Sequence, residues 1–400
     1  MNSINVQQNK QNCCGCGACK NVCPKGCITM RQDDEGFEYP IVDGDSCINC
    51  GLCVKSCPYN FAFGRHEEIE KSISYAAQTK NEEYLSKSSS GGIFPELAEY
   101  FLKNNGIVYG AIYDKFDRRV KHTRADNLEG LKSQIKSKYL QSDTNDCYPL
   151  VKKDLEKGFR VLFSGTPCQV AGLYSFLGNM DSNGLTTVDI VCHGVPSKAV
   201  FDRYIKELEN EKGAKVVSYT WRSKHSGWKP NTIEILLEDG TAIREDSQTN
   251  KFQKGFLHNL YLRPSCYDCP FPTLPRIADI SLGDFWGYDI ASKINNDNVG
   301  ISMVIISSKK GARVLQEISE RIILEKTSLE YAKEKSVHLW NSPRENLNRK
   351  RFFKGFLTGK AFSTFLFPKF LTSKSIRNEN IRSGVKRTLR KLKPRKNKSV

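Results

Sequence analysis

Ten of the fifteen cysteines fall between Cys13 and Cys57, and eight of them keep one spacing twice over. Cys13, Cys16, Cys19 and Cys23-Pro24 read C-x2-C-x2-C-x3-C-P, and Cys47, Cys50, Cys53 and Cys57-Pro58 repeat it. This is the run of bacterial two-cluster ferredoxins, in which the fourth cysteine of each run ligates the other cluster. Two intervening residues let three thiolates close on one iron-sulfur cube from a tight loop, and Gly15, Gly17 and Gly51 allow the backbone to turn around it. On that pattern Cys13, Cys16, Cys19 and Cys57 hold one [4Fe-4S] cluster, and Cys47, Cys50, Cys53 and Cys23 hold the second. A pair of zinc knuckles is the alternative, since C-x2-C also suits zinc. Two complete runs, each closed by Cys-Pro, favour the clusters. Cys14 and Cys27 fall outside the spacing and read as buried bystanders, with Cys14 a competitor of Cys13 as ligand. Residues 28–30 and 39–42 read as short strands around a turn at 33–36. Residues 1–70 are therefore expected to form an α+β ferredoxin-like two-cluster domain suited to one-electron transfer.

A chain of 400 residues has room for two or three domains. An apolar fraction of 39% and a charged fraction of 26% exclude a mainly disordered chain, a collagen-like repeat and a membrane bundle. No stretch reaches the roughly 18 apolar residues a spanning helix needs, and the first residues lack the pattern of a secretory signal. The expected location is the cytosol, where clustered cysteines serve as metal ligands rather than as a disulfide framework.

A polar stretch, residues 71–90, reads as a linker to a larger domain over 91–345. Helical spacing recurs at 93–101, 148–157, 168–177, 198–211 and 311–322, and strand-like runs at 107–113, 161–163, 187–191, 216–221, 232–237 and 301–306. Alternation of this kind predicts an α/β domain with a mixed or mostly parallel sheet. Two loops at strand ends carry chemistry. Ser164, Gly165 and Thr166 lead into Pro167-Cys168-Gln169, a strand-to-helix turn that sets Cys168 in a first helical turn, where free amides favour a thiolate. Cys192-His193-Gly194 follows the next strand, so both cysteines are expected in one crevice at the strand ends. With Cys266 and Cys269 they make four thiolates, enough for a third cube; a zinc site, inert core cysteines, or a thiol enzyme with Cys168 as nucleophile and His193 as base are the alternatives. Residues 88–92, ahead of a helix, form either a plain cap or a phosphate cradle. No G-x-G-x-x-G follows any strand, which disfavours a nicotinamide-type Rossmann site.

The ordered set Ser90-Gly91-Gly92, Ser137-Lys138-Tyr139, Gly165-Thr166-Pro167-Cys168-Gln169, Cys192-His193-Gly194, Trp221-Arg222-Ser223-Lys224 with Gly227-Trp228, Cys266-Tyr267-Asp268-Cys269 and Asp279 to Gly287 resembles the coenzyme F420 hydrogenase/dehydrogenase beta-subunit family, in its bacterial form with an N-terminal two-cluster domain. The resemblance spans about residues 1–345. It implies a flavoprotein oxidoreductase that passes electrons from a ferredoxin-type donor or another oxidoreductase subunit, through iron-sulfur clusters and FAD, to a small hydride-accepting substrate such as coenzyme F420. The family's internal cluster matches Cys168, Cys192, Cys266 and Cys269. Flavin contacts are expected, by loop position, at Ser90, Gly91, Gly92, Lys138, Ser164, Gly165 and Thr166. A flavin joins one-electron carriers to a two-electron hydride step. A non-catalytic subunit that relays electrons to a partner protein is the alternative reading.

Residues 346–400 form a phenylalanine-rich segment and a basic tail. Residues 371–400 hold eleven basic residues against Glu379, accounting for +10 of the net +17. Seven of the 21 phenylalanines, among them Phe352, Phe353, Phe356 and Phe362, lie just before it. This fits a peripheral membrane-surface contact; the alternative is a helix docked on the body. No fold for nucleic acid accompanies the charge.

Overall fold

The computed structural model describes residues 10–60, 68–144, 146–288, 294 and 297–365. Its strands are β1 Ile28–Gln32, β2 Glu38–Val42, β3 Glu68–Thr79, β4 Ile107–Asp114, β5 Arg119–Ala125, β6 Ser142–Asp143, β7 Val161–Gly165, β8 Leu185–Ile190, β9 Val216–Ser223, β10 Thr232–Leu237, β11 Ala242–Asp246, β12 Ile280–Asp284, β13 Ser302–Ser308 and β14 Ile322–Thr327. Nine form one sheet in the order β14-β3-β13-β12-β8-β7-β4-β5-β6. The centre, β12-β8-β7-β4, is parallel, while β12/β13, β13/β3, β3/β14 and β4/β5 are antiparallel, so the expected mixed α/β sheet is present.

Both faces of the sheet are covered, as parallel strands require. On one, Ile93, Leu97 and Phe101 of the helix Ile93–Lys103 and Val314 and Leu315 of the helix Lys309–Glu317 bury Val108, Leu162, Val188, Ile280 and Val304. On the other, Tyr148 and Val151 of the helix Cys147–Glu156 and Val170, Leu173 and Tyr174 of the helix Pro167–Leu177 cover Tyr109, Val161 and Phe163. Cys14, Cys16 and Ala18 of the N-terminal unit join this second core. A smaller antiparallel sheet, β11-β10-β9, packs against the helices Lys198–Lys212 and Lys251–Leu257.

Two expectations are corrected. The 71–90 stretch is no linker, because β3 runs through residue 79 inside the sheet, between β13 and β14. Its serines made it look like a connection, yet Ser72 Oγ lies 3.2 Å from Ser307 Oγ and Ser74 Oγ 2.8 Å from Thr327 Oγ1, which satisfies them across strands. The second correction concerns four of the phenylalanines, which are not free for a membrane surface: Phe352, Phe353, Phe356 and Phe362 are buried in the core around β9 and β10, as the docked-helix alternative expects. The helix Arg349–Leu357 clamps the N-terminal unit, with Arg349 paired to Glu35 and the Phe353 ring 6.5 Å from that of Phe37. The basic tail, with Phe367 and Phe370, lies outside the described residues. Among the described residues no helix is long and apolar enough to cross a membrane.

Candidate metal centre

The two cysteine runs fold alike. Gly17 (φ 77°) and Gly51 (φ 74°) open the short helices Ala18–Val22 and Leu52–Lys55, a left-handed turn that glycine adopts without strain, and the third cysteine of each run rides in the helix. The antiparallel pair β1/β2 joins the halves, so each run's fourth cysteine reaches the other half. Cys13, Cys16, Cys19 and Cys57 line one cavity of about 350 Å3, the inner ring. Cys23, Cys47, Cys50 and Cys53 line another of about 330 Å3, the outer ring. Cys50 is exposed there, beside Ile48 (57% exposed) and Leu52 (38% exposed). The two unassigned cysteines are not remote: Cys27 Sγ lies 3.4 Å from Cys23 Sγ, and Cys14 lines the inner ring.

A third cavity, about 630 Å3, opens past the adjacent parallel ends of β7 and β8. Cys168, Cys192, Cys266 and Cys269 line it, with Cys14 completing the wall toward the inner ring. Cys168 follows the capping box of Thr166 and Gln169, Cys192 follows β8, and the short turn Pro264–Asp268 brings in the last pair. Among the described residues no three His, Cys, Asp or Glu side chains close on a point that a single ion would fill.

Burial pushes the Cys266 thiol up to about 11 and raises Cys192 and Cys269 further. Cys168 is raised as well, first by the neighbouring Cys14 thiol and then by burial, which overturns the expectation that its helix start would favour the thiolate. Such thiols ionise when a bound cation supplies the charge that water no longer can. The thiol-enzyme alternative fails on geometry. His193 Nδ1 lies 2.9 Å from His338 Nε2 and its Nε2 2.6 Å from Asn259 Oδ1, so neither nitrogen is available to Cys168. Burial also holds its pKa down to about 4.

The residues expected to touch a flavin are engaged by the chain itself, and Ser137 N donates to Ser89 Oγ at 2.8 Å, joining the 88–92 loop to the 137–138 segment. Ser90 donates to the Ile301 carbonyl at 2.8 Å, and Gly91 N donates to Ser302 Oγ at 2.9 Å. A Cβ on Gly91 would stand 2.4 Å from the Ala77 carbonyl oxygen, so glycine is needed there by the packing of the sheet. Lys138 is half-buried, its pKa pulled down to about 7 by desolvation, and its ammonium is satisfied by the carbonyls of Ala111, Ser133, Gln134 and Ile135 at 2.8–3.0 Å. The Ser164 carbonyl accepts from His122, Gly165 ends β7, and Thr166 caps the helix at the third cavity. Each of these side chains and amides has a structural partner in the chain, and of the seven only Thr166 lines the third cavity. The Trp-Arg and Asp-Phe-Trp motifs are likewise occupied: Arg222 pairs with Asp284 at 2.6 Å and 3.1 Å and holds the Ser89 carbonyl, while Trp228 and Trp286 stack at 4.2 Å.

Sequence reasoning missed what fastens the rings to the body. Gln141 Nε2 donates to the Cys14 carbonyl at 2.8 Å, Thr144 Oγ1 to the Cys16 carbonyl at 3.0 Å, and Arg263 Nε to the Cys13 carbonyl at 2.8 Å. Only Arg263 carries a signal, its place just ahead of the Cys266–Cys269 pair.

The two rings of cysteines in the hairpin unit define the class of iron-sulfur proteins. Residues 12–61 match the 4Fe-4S dicluster domain, and residues 158–332 match the family model for the C terminus of the coenzyme F420 hydrogenase/dehydrogenase beta subunit. A 4Fe-4S dicluster domain thus stands ahead of a region similar to the C-terminal part of the coenzyme F420 hydrogenase/dehydrogenase beta subunit. A chain of the F420-reducing [NiFe] hydrogenase complex from Methanosarcina barkeri, solved with xenon, is similar at 20% identity and a TM-score of 0.45, over 67% of this chain and 89% of that one. No curated protein matches.

Proposed function

We propose that the chain is an iron-sulfur electron-transfer protein whose twelve cysteines Cys13, Cys16, Cys19, Cys23, Cys47, Cys50, Cys53, Cys57, Cys168, Cys192, Cys266 and Cys269 hold three clusters in line. The observation that carries this is that Cys14 and Tyr59 line both the inner ring and the third cavity, so the two rings share a wall. When bound, 4Fe-4S clusters supply one-electron carriers. The chain's residues do the rest. Cys50, Ile48 and Leu52 open the outer ring to a redox partner such as a ferredoxin or another oxidoreductase subunit, burial keeps water from the inner ring, and the ends of β7 and β8 fix the third.

The match of residues 158–332 to the beta-subunit family supports a flavin-dependent oxidoreductase that ends on a hydride-accepting small molecule. The commitment of Ser90, Gly91 and Lys138 to the chain's own carbonyls and hydroxyls favours the second reading, a relay that hands electrons to a partner protein. Cys168→Ser tests the third site. Protein prepared without oxygen should fall from about twelve irons per chain toward about eight, and unchanged iron would remove Cys168 as a ligand. Flavin co-purifying in proportion to chain would support the oxidoreductase, and flavin-free protein with full iron the relay.

A further inference from the structure

Four arginines are buried among the described residues, and three have a carboxylate. Arg276 pairs with Asp189, Arg222 with Asp284 and Arg349 with Glu35. Arg263, 0% exposed, has none among the described residues. Its Nε donates to the Cys13 carbonyl at 2.8 Å, Nη1 to Gln141 Oε1 at 2.9 Å, and Nη2 to the Glu38 carbonyl at 2.7 Å; Nη2 also stands 3.7 Å from Cys13 Sγ. Its guanidinium lies 4.4 Å from the centre of the Tyr39 ring. Gly15, at φ 66°, is what admits it: a Cβ there would stand 2.9 Å from the Arg263 Cζ.

A buried cation with only neutral partners is strongly destabilising unless a negative charge stands nearby. Of the groups able to supply one, the Cys13 thiol stands 3.7 Å from Nη2, and Tyr39, Cys14 and Cys266 interact with the guanidinium electrostatically. A cube held by four thiolates is an anion, and reduction adds one more negative charge. We propose that Arg263 is the buried counter-ion of the inner ring and sets its reduction potential above that of the outer ring, so that an electron taken up at Cys50 moves inward. This rests on the reading of the inner ring as a cluster site. The outer ring has only Lys25 in its lining, which is exposed and screened by solvent.

The test is a potentiometric titration with dithionite, followed by electron paramagnetic resonance, on the full chain. Arg263→Gln removes the charge. Gln141→Glu leaves the guanidinium in place and lays a carboxylate against it. Both variants should keep the wild-type iron content and lower the midpoint of one cluster, shifting its reduced-to-oxidised ratio at fixed potential at least tenfold, about 59 mV for one electron. Arg263→Lys, which keeps the charge, should shift it less. Unchanged midpoints in either iron-replete variant would overturn the proposal, and so would loss of iron from both, which would make Arg263 a purely structural fastener. Wild-type protein that lacks iron would instead refute the cluster reading itself, before any variant is compared.

Discussion

At the scale of single residues, His122 shows how the sheet is tied to the third cavity. It is buried between Ser142 Oγ (2.7 Å) and the Ser164 carbonyl (2.9 Å), stacked on Phe163 with ring centres 5.2 Å apart. Burial holds its pKa down to about 4, outweighing the Ser164 hydrogen bond that pulls it up. An unfolded histidine titrates near 6.5. Between those values the unfolded chain binds a proton the native chain refuses, so stability is full above about pH 6.5 and falls as pH drops toward 4. Urea unfolding of the wild type and of His122→Gln should show a gap that narrows by about 2 kcal/mol between pH 7 and pH 5. A gap that stays constant with pH would contradict a buried neutral imidazole. The sequence did not mark this histidine, because its environment, not its residue type or spacing, makes the group unusual; Arg263 was marked only by its place ahead of Cys266.

At the scale of elements, the helix Pro167–Leu177 carries the N-terminal unit. Gly172 faces Cys16, and a Cβ there would meet Cys16 Cβ, Cys16 Sγ and Tyr148 Oη, each at 2.9 Å. Propensity alone favours alanine in a helix by about 1 kcal/mol. The clash should reverse that sign: Gly172→Ala is expected to lower stability by about 1–3 kcal/mol and, because Cys16 lines the inner ring, to cost iron as well. Calorimetry with iron analysis checks it, and a melting temperature at or above wild type would contradict the docking described. Most elements were legible because their apolar periodicity is local: Ile93, Leu97 and Phe101 mark one helix, and residues 161–163 one strand. β3 was not, since its serines find partners more than 230 residues away. The clamp of Arg349, Phe352 and Phe353 was not either, since the surface it covers is built from Glu35 and Phe37 at the far end of the chain. In the candidate site, the eight N-terminal cysteines could be read from spacing, whereas the place of Cys14 between two rings depends on how the hairpin docks and carries no spacing rule.

At the scale of the whole molecule, the cavities run from the surface at Cys50, through the inner ring, to the third ring at the carboxyl ends of the central strands. The hairpin unit is held in that line by Gln141, Thr144 and Arg263 from the body and by the helix Arg349–Leu357. The sheet positions one end of the line and the hairpin the other. The claim on which this depends is that the cysteine rings bind iron-sulfur clusters, and the most direct measurement is the iron, zinc and acid-labile sulfide content of the full chain purified without oxygen, with paramagnetic resonance after reduction. The expected result is about twelve irons and twelve sulfides per chain, with interacting signals from neighbouring reduced clusters. A colourless protein carrying zinc, with neither sulfide nor a signal, would contradict it.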